Sequence, residues 1–586
     1  MTNQKFENLI IVASGAGTRM AEYTMNNTIP KLLVSLGNET IWSSMLKNID
    51  RVAEYVFVIA NSKHIPMLQE VAKLTYPEQA ENIIYVDYDE QDGTANTIAK
   101  TVSDRMIDGT TLIVWSDILE ASTESLLPLT SSLSKLKEYD GDNLQVCVIA
   151  DRQPRHRFKI DGSVIEEVAD ASGNIVGAYA TNEIAKFGAW SGSHGRGLRD
   201  FKFTGEVLRH NQDFISLVKV MHERDDLRSI KTFYGDFIDL GDSAKYQAYM
   251  ASKEIKTRYF NKLEIGTDRV TKTATNAKGR AVMANEASFY MFMEKSGFDQ
   301  MFAGVIGMIG DSIEDDMSTL VLEKLDKTVH QHITEHVANV KNVDKHAYTA
   351  RSYAARIAYK NFKEFMKPLH TANPDHFLPQ SDFSDDVLTN AAWKEYIEVT
   401  RSRYESIKGL LSASDIIRFN GEVVPSFDYV MAKLEDYLRN SNVLNLGLIH
   451  GDTNTANVMM DSKGAMKLID PRGVFGDMQY AGDTNYDLAK FLYGLTGYTD
   501  FNDSTDFKVK KDGTSLYCEL FNKLPSPWYV CQDNEGNDDI NAVILVGLIW
   551  LKLPAYIINN PLKSLVAYYK GLTLLNKALN EYEFTR

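Results

Sequence analysis

Cysteine is nearly missing from this chain. Cys147, Cys518 and Cys531 are the only three in 586 residues. They are too few and too scattered for a disulfide framework or a Cys-rich zinc site, and a reducing compartment is the expectation. Long apolar runs are absent as well. The strongest, Ala542 to Leu551, stops at Lys552 and Pro554, about half the length that spans a bilayer, and reads as a buried helix. The opening Met1-Thr-Asn-Gln-Lys-Phe-Glu7 lacks a basic leader, and Leu9 to Ala13 is too short for a signal core. Cations are in the minority, 63 Lys and Arg against 79 Asp and Glu, for a formal net charge of −16. That balance argues against a nucleic-acid partner, whose phosphates demand clustered Lys and Arg. The expectation is a soluble cytoplasmic protein with no membrane insertion and small-molecule partners; a homo-oligomer is left open.

What is present is ordinary globular composition, 44% hydrophobic and 24% charged. The length exceeds what one core usually supports, so two or three domains are expected. No Pro/Gly/Ser-rich linker separates them, which predicts a packed junction. Two main domains are assigned, residues 1–248 and 249–586, with the second divided near 256–326 and 327–586.

In the first domain short β-rich runs alternate with helical patterns. Strands are predicted at Leu9–Ala13, Tyr55–Ala60, Ile83–Val86, Thr111–Trp115 and Leu144–Ala150, with helices at Ile41–Ile49, Met67–Leu74 and Ala95–Val102. Such alternation implies right-handed crossovers and a mainly parallel sheet, with ligands at the carboxyl ends of its strands. The first strand runs into Ala13-Ser-Gly-Ala-Gly-Thr-Arg-Met20. Gly15 and Gly17 let backbone N–H groups approach a triphosphate, and Arg19 can neutralise it. Ile29-Pro-Lys-Leu-Leu33, Asp92-Gly-Thr-Ala95 and Trp115-Ser-Asp117 follow in order.

This series resembles the nucleotidyltransferases that join a nucleoside triphosphate to a phosphorylated sugar or alcohol and release pyrophosphate. The resemblance implies a Rossmann-like α/β domain and a nucleotide loop of Gly15, Ala16, Gly17 and Thr18, with Gly93 and Thr94 as a second contact. Arg19 and Lys31 become catalytic cations and Asp117 a metal ligand. In Phe237-Ile-Asp-Leu-Gly-Asp-Ser243 it makes Asp239 the second metal carboxylate, although Asp242 can also serve. Arg152, Arg155, His156, Arg157, Lys159 and the segment Phe187–Gly192 can either contact the acceptor or form a plain surface.

The second domain carries its chemistry in Leu446-Gly-Leu-Ile-His-Gly-Asp-Thr-Asn-Thr-Ala-Asn-Val458 and Leu468-Ile-Asp-Pro-Arg-Gly473. Asp452 can orient an attacking hydroxyl and accept its proton, Asn457 can hold a metal, and Asp470 can bridge metal to phosphates. The gap from Asp452 to Asn457 is that of the kinase catalytic loop. With His450-Gly-Asp452 and Asp470-Pro-Arg472 in place of the protein-kinase forms, the segment resembles the aminoglycoside phosphotransferase and choline kinase family.

That resemblance implies a bilobal, protein-kinase-like α+β domain. A hairpin near 259–274 presents Lys272 to phosphates, and Glu286 on the helix Met283–Phe292 pairs with it. Lys278 competes with Lys272 for this role. Glu323–Leu325 becomes the adenine hinge, and Arg472 can meet a substrate or product phosphate. Asp487 becomes a buried brace for the loop. Further helical patterns run from Ser243 to Lys256, between the domains, and over Asp385–Leu411 and Phe427–Leu438 in the larger lobe. His330, His332, His336 and His346 lack the partners of a metal site and read as a solvated helix face.

The combined reading is a bifunctional enzyme. The kinase phosphorylates a small hydroxylated compound with ATP, and the transferase couples the phosphate to a nucleotide from CTP, GTP or UTP, for surface polysaccharide or lipid decoration. Mg²⁺ or Mn²⁺ is the expected cofactor at both sites, because the candidate ligands are oxygen donors. The acceptor can be a sugar or an amino alcohol. Two rivals remain: an antibiotic-type phosphotransferase with an inert nucleotide-binding domain, and a nucleotide-sensing module.

Overall fold

The computed structural model describes residues 5–15, 17–21, 23–25, 27–36, 39–90, 94–105, 107, 111–120, 145–151, 158–161, 164–167, 187–191, 229–235, 237–241, 243–252, 261–312, 316–338, 343–379, 382–439, 443–503, 509–533, 539–558 and 560–585. Its chain separates into two compact units. One comprises Met1–Ser252, Lys408–Asp415 and Ile557–Lys563, and the other comprises Lys253–Ile407, Ile416–Tyr556 and Ser564–Arg586. Among the described residues no helix is long and apolar enough to cross a membrane.

The first unit is built on a seven-stranded sheet. Phe6–Val12 lies centrally and pairs in parallel with Ala53–Ala60 on one side and Thr111–Trp115 on the other; Ile83–Asp87 extends the parallel run. Beyond Thr111–Trp115 the strand Phe187–Ser191 runs antiparallel, and Gln145–Asp151 and Ser229–Gly235 close that edge as a parallel pair. The predicted strands fall within one to three residues of these bounds. Buried side chains from Leu9, Ile10, Ile11, Val56, Val58, Leu112 and Val114 explain why they read as unbroken apolar runs.

The helix predicted over 41–49 is two short ones, Ile41–Leu46 and Ile49–Val52. Thr40 and Ser43 form a reciprocal capping box at its start, and Asn48 leaves helical geometry at φ −123°. The helix expected from Ser243 to Lys256 is described as Ser243–Ser252.

The second unit begins with a four-stranded antiparallel sheet, ordered Asn261–Ile265, Arg269–Ala274, Asp316–Glu323, Val305–Ser312. A nineteen-residue helix, Ala277–Lys295, packs on it, its first turn capped by Asn276 Oδ1 accepting from the Gly279 N–H at 2.9 Å. The strand Val305–Ser312 was not predicted, because Gly307 and Gly310 break its apolar pattern. Helices dominate thereafter, including Val343–His370, Phe427–Leu438, Thr484–Tyr493, Ile540–Lys552 and Pro561–Thr585.

The helix expected to run from Asp385 to Leu411 is interrupted. Asp385–Trp393 and Val399–Ser414 are joined by a π-helical turn over Lys394–Glu398. The extra residue in that turn lets adjacent Glu395 and Tyr396 both face the interior.

Candidate active sites

In the first unit, parallel pairing sets the site. Val12 and Trp115 are register partners, so the loop after the first strand and the residues after Trp115 emerge side by side at the sheet's carboxyl edge. Gly15, Gly17, Arg19, Lys31, Ser116, Asp117 and Gly241 line a cleft of about 290 Å³ there. Gly17 has φ +62°, a conformation that disfavours side chains. Gly15 differs: a Cβ there would meet nothing within 4 Å. The space in front of its backbone is therefore available to a bulky ligand.

Lys31 pairs directly with Asp117, both largely buried. Asp239 is the register partner of Ile118, and Leu240 N donates to Asp117 O at 2.8 Å. Backbone pairing thus brings Asp239 next to Asp117, while its side chain lies outside the described atoms. Ala16, Gly93, Asp242, Arg152, Arg155, His156 and Arg157 also lie outside the described residues, as do the side chains of Thr18, Thr94 and Lys278.

In the second unit, a short hairpin gathers the site. Val458–Met460 pairs antiparallel with Met466–Leu468, Val458 opposite Leu468. Asn457 and Asp470 therefore leave the same end of the hairpin, and Ile469 N donates to Asn457 O at 3.0 Å. Asn457 Nδ2 donates to the Asp452 carbonyl at 2.9 Å, which turns its Oδ1 into the atom available to a cation. Asp470 sits at φ +57°, a cost that a non-glycine residue bears chiefly at functional positions. Lys272 Nζ lies 2.6 Å from Glu286 and 2.8 Å from Asp470, joining strand, helix and hairpin. Burial alone would lower the Lys272 pKa, but the two carboxylates outweigh it and raise it.

The loop bearing Asp452 is held from beneath. Asp487, fully buried, accepts from His450 N at 2.8 Å and Gly451 N at 2.7 Å. His450 bonds Ile469 O through Nε2 at 3.0 Å and accepts the Asp452 N–H on Nδ1 at 3.1 Å. That pattern requires the neutral ring with its proton on Nε2, and burial lowers the His450 pKa in the same sense.

Sequence reading missed three charged residues here. Lys490 Nζ is 3.1 Å from Asp452 Oδ1. Burial would raise the Asp452 pKa, yet Lys490 prevails and lowers it, so the carboxylate stays ionised near neutrality. Glu395 and Lys552, each 3% exposed, pair at 2.6 Å, and Arg472 reaches the same carboxylate at 3.3 Å. A signal for Lys552 did exist. A lysine within the last turn of so apolar a helix, itself buried, requires a carboxylate partner.

The side chain of Glu323, whose backbone belongs to the expected hinge, accepts from Gly304 N at 2.8 Å and pairs with Lys467 at 2.6 Å. His332 and His336 are exposed, and no group of three metal-binding side chains occurs among the described residues.

Burial favours the neutral form of Glu395, but Lys552 and then Arg472 hold its pKa down to about 2 from 4.5. A depressed carboxylate pKa contributes stability that is present above 4.5 and lost as pH falls towards 2. The full loss is about 3 kcal/mol, of which about 2 kcal/mol falls between pH 6 and pH 3. Urea unfolding at pH 6 and pH 3 should show it in the wild type, and Glu395→Gln should flatten that dependence.

No protein-family model matches the chain, and no curated protein sequence does either. Solved structures similar to it include a UTP-bound UGPase from Acinetobacter baumannii, 13% identical over 42% of this chain and 92% of that chain, with a TM-score of 0.30. The inositol-1-phosphate CTP transferase from T. maritima is 12% identical over 42% and 96%, with a TM-score of 0.32. A UDP-glucose pyrophosphorylase complexed with UDP-glucose is 14% identical over 42% and 98%, with a TM-score of 0.31. Likenesses this shallow leave the functional reading to the residues of the two sites.

Proposed function

We propose that the chain is a bifunctional transferase that phosphorylates a small hydroxylated compound and then joins the new phosphate to a nucleotide. The observation that carries this reading is that each unit has its own lysine–carboxylate site. Lys31 meets Asp117 in the first, and Lys272 meets Asp470 beside Asp452 in the second.

In the phosphotransferase, the acceptor hydroxyl hydrogen-bonds to Asp452. Its oxygen bonds to the γ-phosphorus of ATP as the bond to the β,γ-bridging oxygen breaks, and the proton passes to Asp452. Because Lys490 keeps Asp452 a weak base, the carboxylate orients the hydroxyl more than it strips it. Lys272, steadied by Glu286, neutralises nucleotide phosphate, in the manner of a bilobal kinase. Asn457 and Asp470, which would hold the metal here, are oxygen donors, as Mg²⁺ or Mn²⁺ requires.

In the nucleotidyltransferase, the phosphate made in the first reaction attacks the α-phosphorus of CTP, GTP or UTP, and pyrophosphate leaves. Gly15 and Gly17 admit the triphosphate to the backbone, Arg19 and Lys31 offset its charge, and Asp117 with Asp239 holds the cation. A divalent ion would supply charge neutralisation at both centres, letting a phosphate attack the triphosphate here and easing departure of the nucleoside diphosphate in the phosphotransferase. Ala16, Thr18, Gly93 and Thr94 complete the nucleotide contacts in this reading. The product is an activated precursor for surface glycan or lipid decoration, made in the cytoplasm.

The test is pyrophosphate release from a panel of nucleoside triphosphates with phosphorylated sugars and amino alcohols, and ADP formation with the free compounds. EDTA should stop both activities and Mg²⁺ or Mn²⁺ restore them. Either activity persisting in metal-free buffer removes the metal assignment at that site. ADP formation without pyrophosphate release from any combination would leave a phosphotransferase alone.

A further inference from the structure

The surroundings of Asp452 hold more positive charge than the proposed phosphoryl transfer uses. Lys490 and Lys552 flank one aromatic ring, their Nζ atoms 5.6 Å and 5.2 Å from the Tyr486 centroid. Arg472 stands next to the catalytic loop. Its N–H donates to His450 O at 3.0 Å, and a Cβ on Gly451 would lie 3.2 Å from the Arg472 Cβ.

These cations are unequally matched. Asp452 is neutralised by Lys490, and Lys272 is shared by Glu286 and Asp470. Glu395 is neutralised by Lys552, both sealed from water. Glu395 thus faces two cations, and Arg472, whose side chain is 39% exposed, is the one in excess at that carboxylate. Glu395 holds the guanidinium through contacts of 3.3 and 3.4 Å, longer than the usual 2.7–2.9 Å of charge-assisted bonds. The π-helical turn that points Glu395 inward steadies Arg472 from behind, with donors of its planar fork left over.

We infer that Arg472 anchors an anionic group, a carboxylate or a phosphate, carried by the hydroxyl compound that Asp452 serves. This rests on the phosphotransferase reading of the second unit. A guanidinium matches either anion with two parallel N–H donors. A quaternary or primary ammonium beside Arg472 would meet two cations around the one carboxylate Glu395, with no unpaired carboxylate there to receive it. The acceptor is therefore a hydroxylated anion, not an amino alcohol.

Two matched series test this by ATP-dependent phosphorylation: glycerol, glycerate, glycerol phosphate and choline; and glucose, glucuronate, hexose phosphate and glucosamine. An anionic member should exceed its neutral and cationic counterparts by about tenfold or more in kcat/KM, equivalent to about 1.4 kcal/mol. Whether carboxylate or phosphate wins identifies the group bound. Arg472→Ala should raise KM for that anion about tenfold while kcat stays within about threefold, and Arg472→Lys should recover part of the loss. Both variants keep the buried Glu395–Lys552 pair, so their melting temperatures should stay close to the wild type's. Preference for choline, glucosamine or the neutral members overturns the inference. So does a fall in kcat with KM unchanged, which would put Arg472 on the transferred phosphoryl group. If the wild type phosphorylates nothing in either series, the phosphotransferase reading fails and the inference with it.

Discussion

Asp452→Asn is expected to lower ATP-dependent phosphorylation about a thousandfold, within the 10²–10⁴ range that a positioned proton acceptor supplies. The amide keeps the volume and can still accept from Lys490, which lies 3.1 Å from the carboxylate. The loop also keeps its bonds to Asp487 and His450, because they use backbone N–H groups. The effect should thus fall on kcat, with ATP binding nearly unchanged and a modest fall in melting temperature, because Lys490 is left beside a neutral amide. Single-turnover transfer and thermal unfolding on the same preparation check this. Normal transfer by a folded Asp452→Asn protein would remove Asp452 from the chemistry. A large drop in melting temperature would instead make the Asp452–Lys490 pair mainly structural.

Asp117→Asn is expected to cut pyrophosphate release about a hundredfold or more, and Lys31→Ala to do so comparably. The two side chains pair at the cleft that Gly15 leaves open; Lys31 offsets the negative charge that builds up as pyrophosphate departs, and Asp117 would hold the cation that does the same. Removing Asp117 leaves Lys31 largely buried beside a neutral amide, so some loss of stability accompanies the loss of rate. Phosphorylation by the second unit should remain within about tenfold in both variants, roughly 1.4 kcal/mol of barrier. Assaying both reactions on each variant gives the answer. Abolition of phosphorylation by Asp117→Asn in a folded protein would show that the two activities are not separate.

Together the two substitutions also test the order of events. Asp452→Asn enzyme given the free compound and both nucleotides should form no conjugate, and the synthetic phosphate should restore it. Conjugate made from the unphosphorylated compound would mean that the first unit uses another acceptor chemistry.

Local pattern was enough for much of the architecture. Apolar runs of five to eight residues flanked by turns mark the parallel strands, and the period of Phe427–Leu438 gave that helix residue for residue. Pattern failed where geometry departs from two simple periods. The glycines of Val305–Ser312 hid a strand, and the π-helical turn at Lys394–Glu398 hid the inward side chain of Glu395. Within the sites, residues close in sequence were readable: Asp452, Asn457 and Asp470 belong to one loop and hairpin. Lys490 was not, because its partner is 38 positions away and nothing local distinguishes it from a lysine facing water. For Lys552 the apolar helix signals burial, but not which carboxylate, 157 positions away, it meets.

The same sequence distance has a bearing on how the protein is made. Glu395 emerges from the ribosome long before Lys552, its closest partner in the finished molecule. At about 5–20 residues per second, the intervening 157 positions take about 8–30 s to synthesise. For that interval the segment carrying Glu395 has no ammonium to bury against, so it stays hydrated and the helices around it cannot close. Closure of the second unit around Glu395 is therefore expected to wait for emergence of the apolar helix Ile540–Lys552, and nascent chains halted before it should present an incomplete lobe.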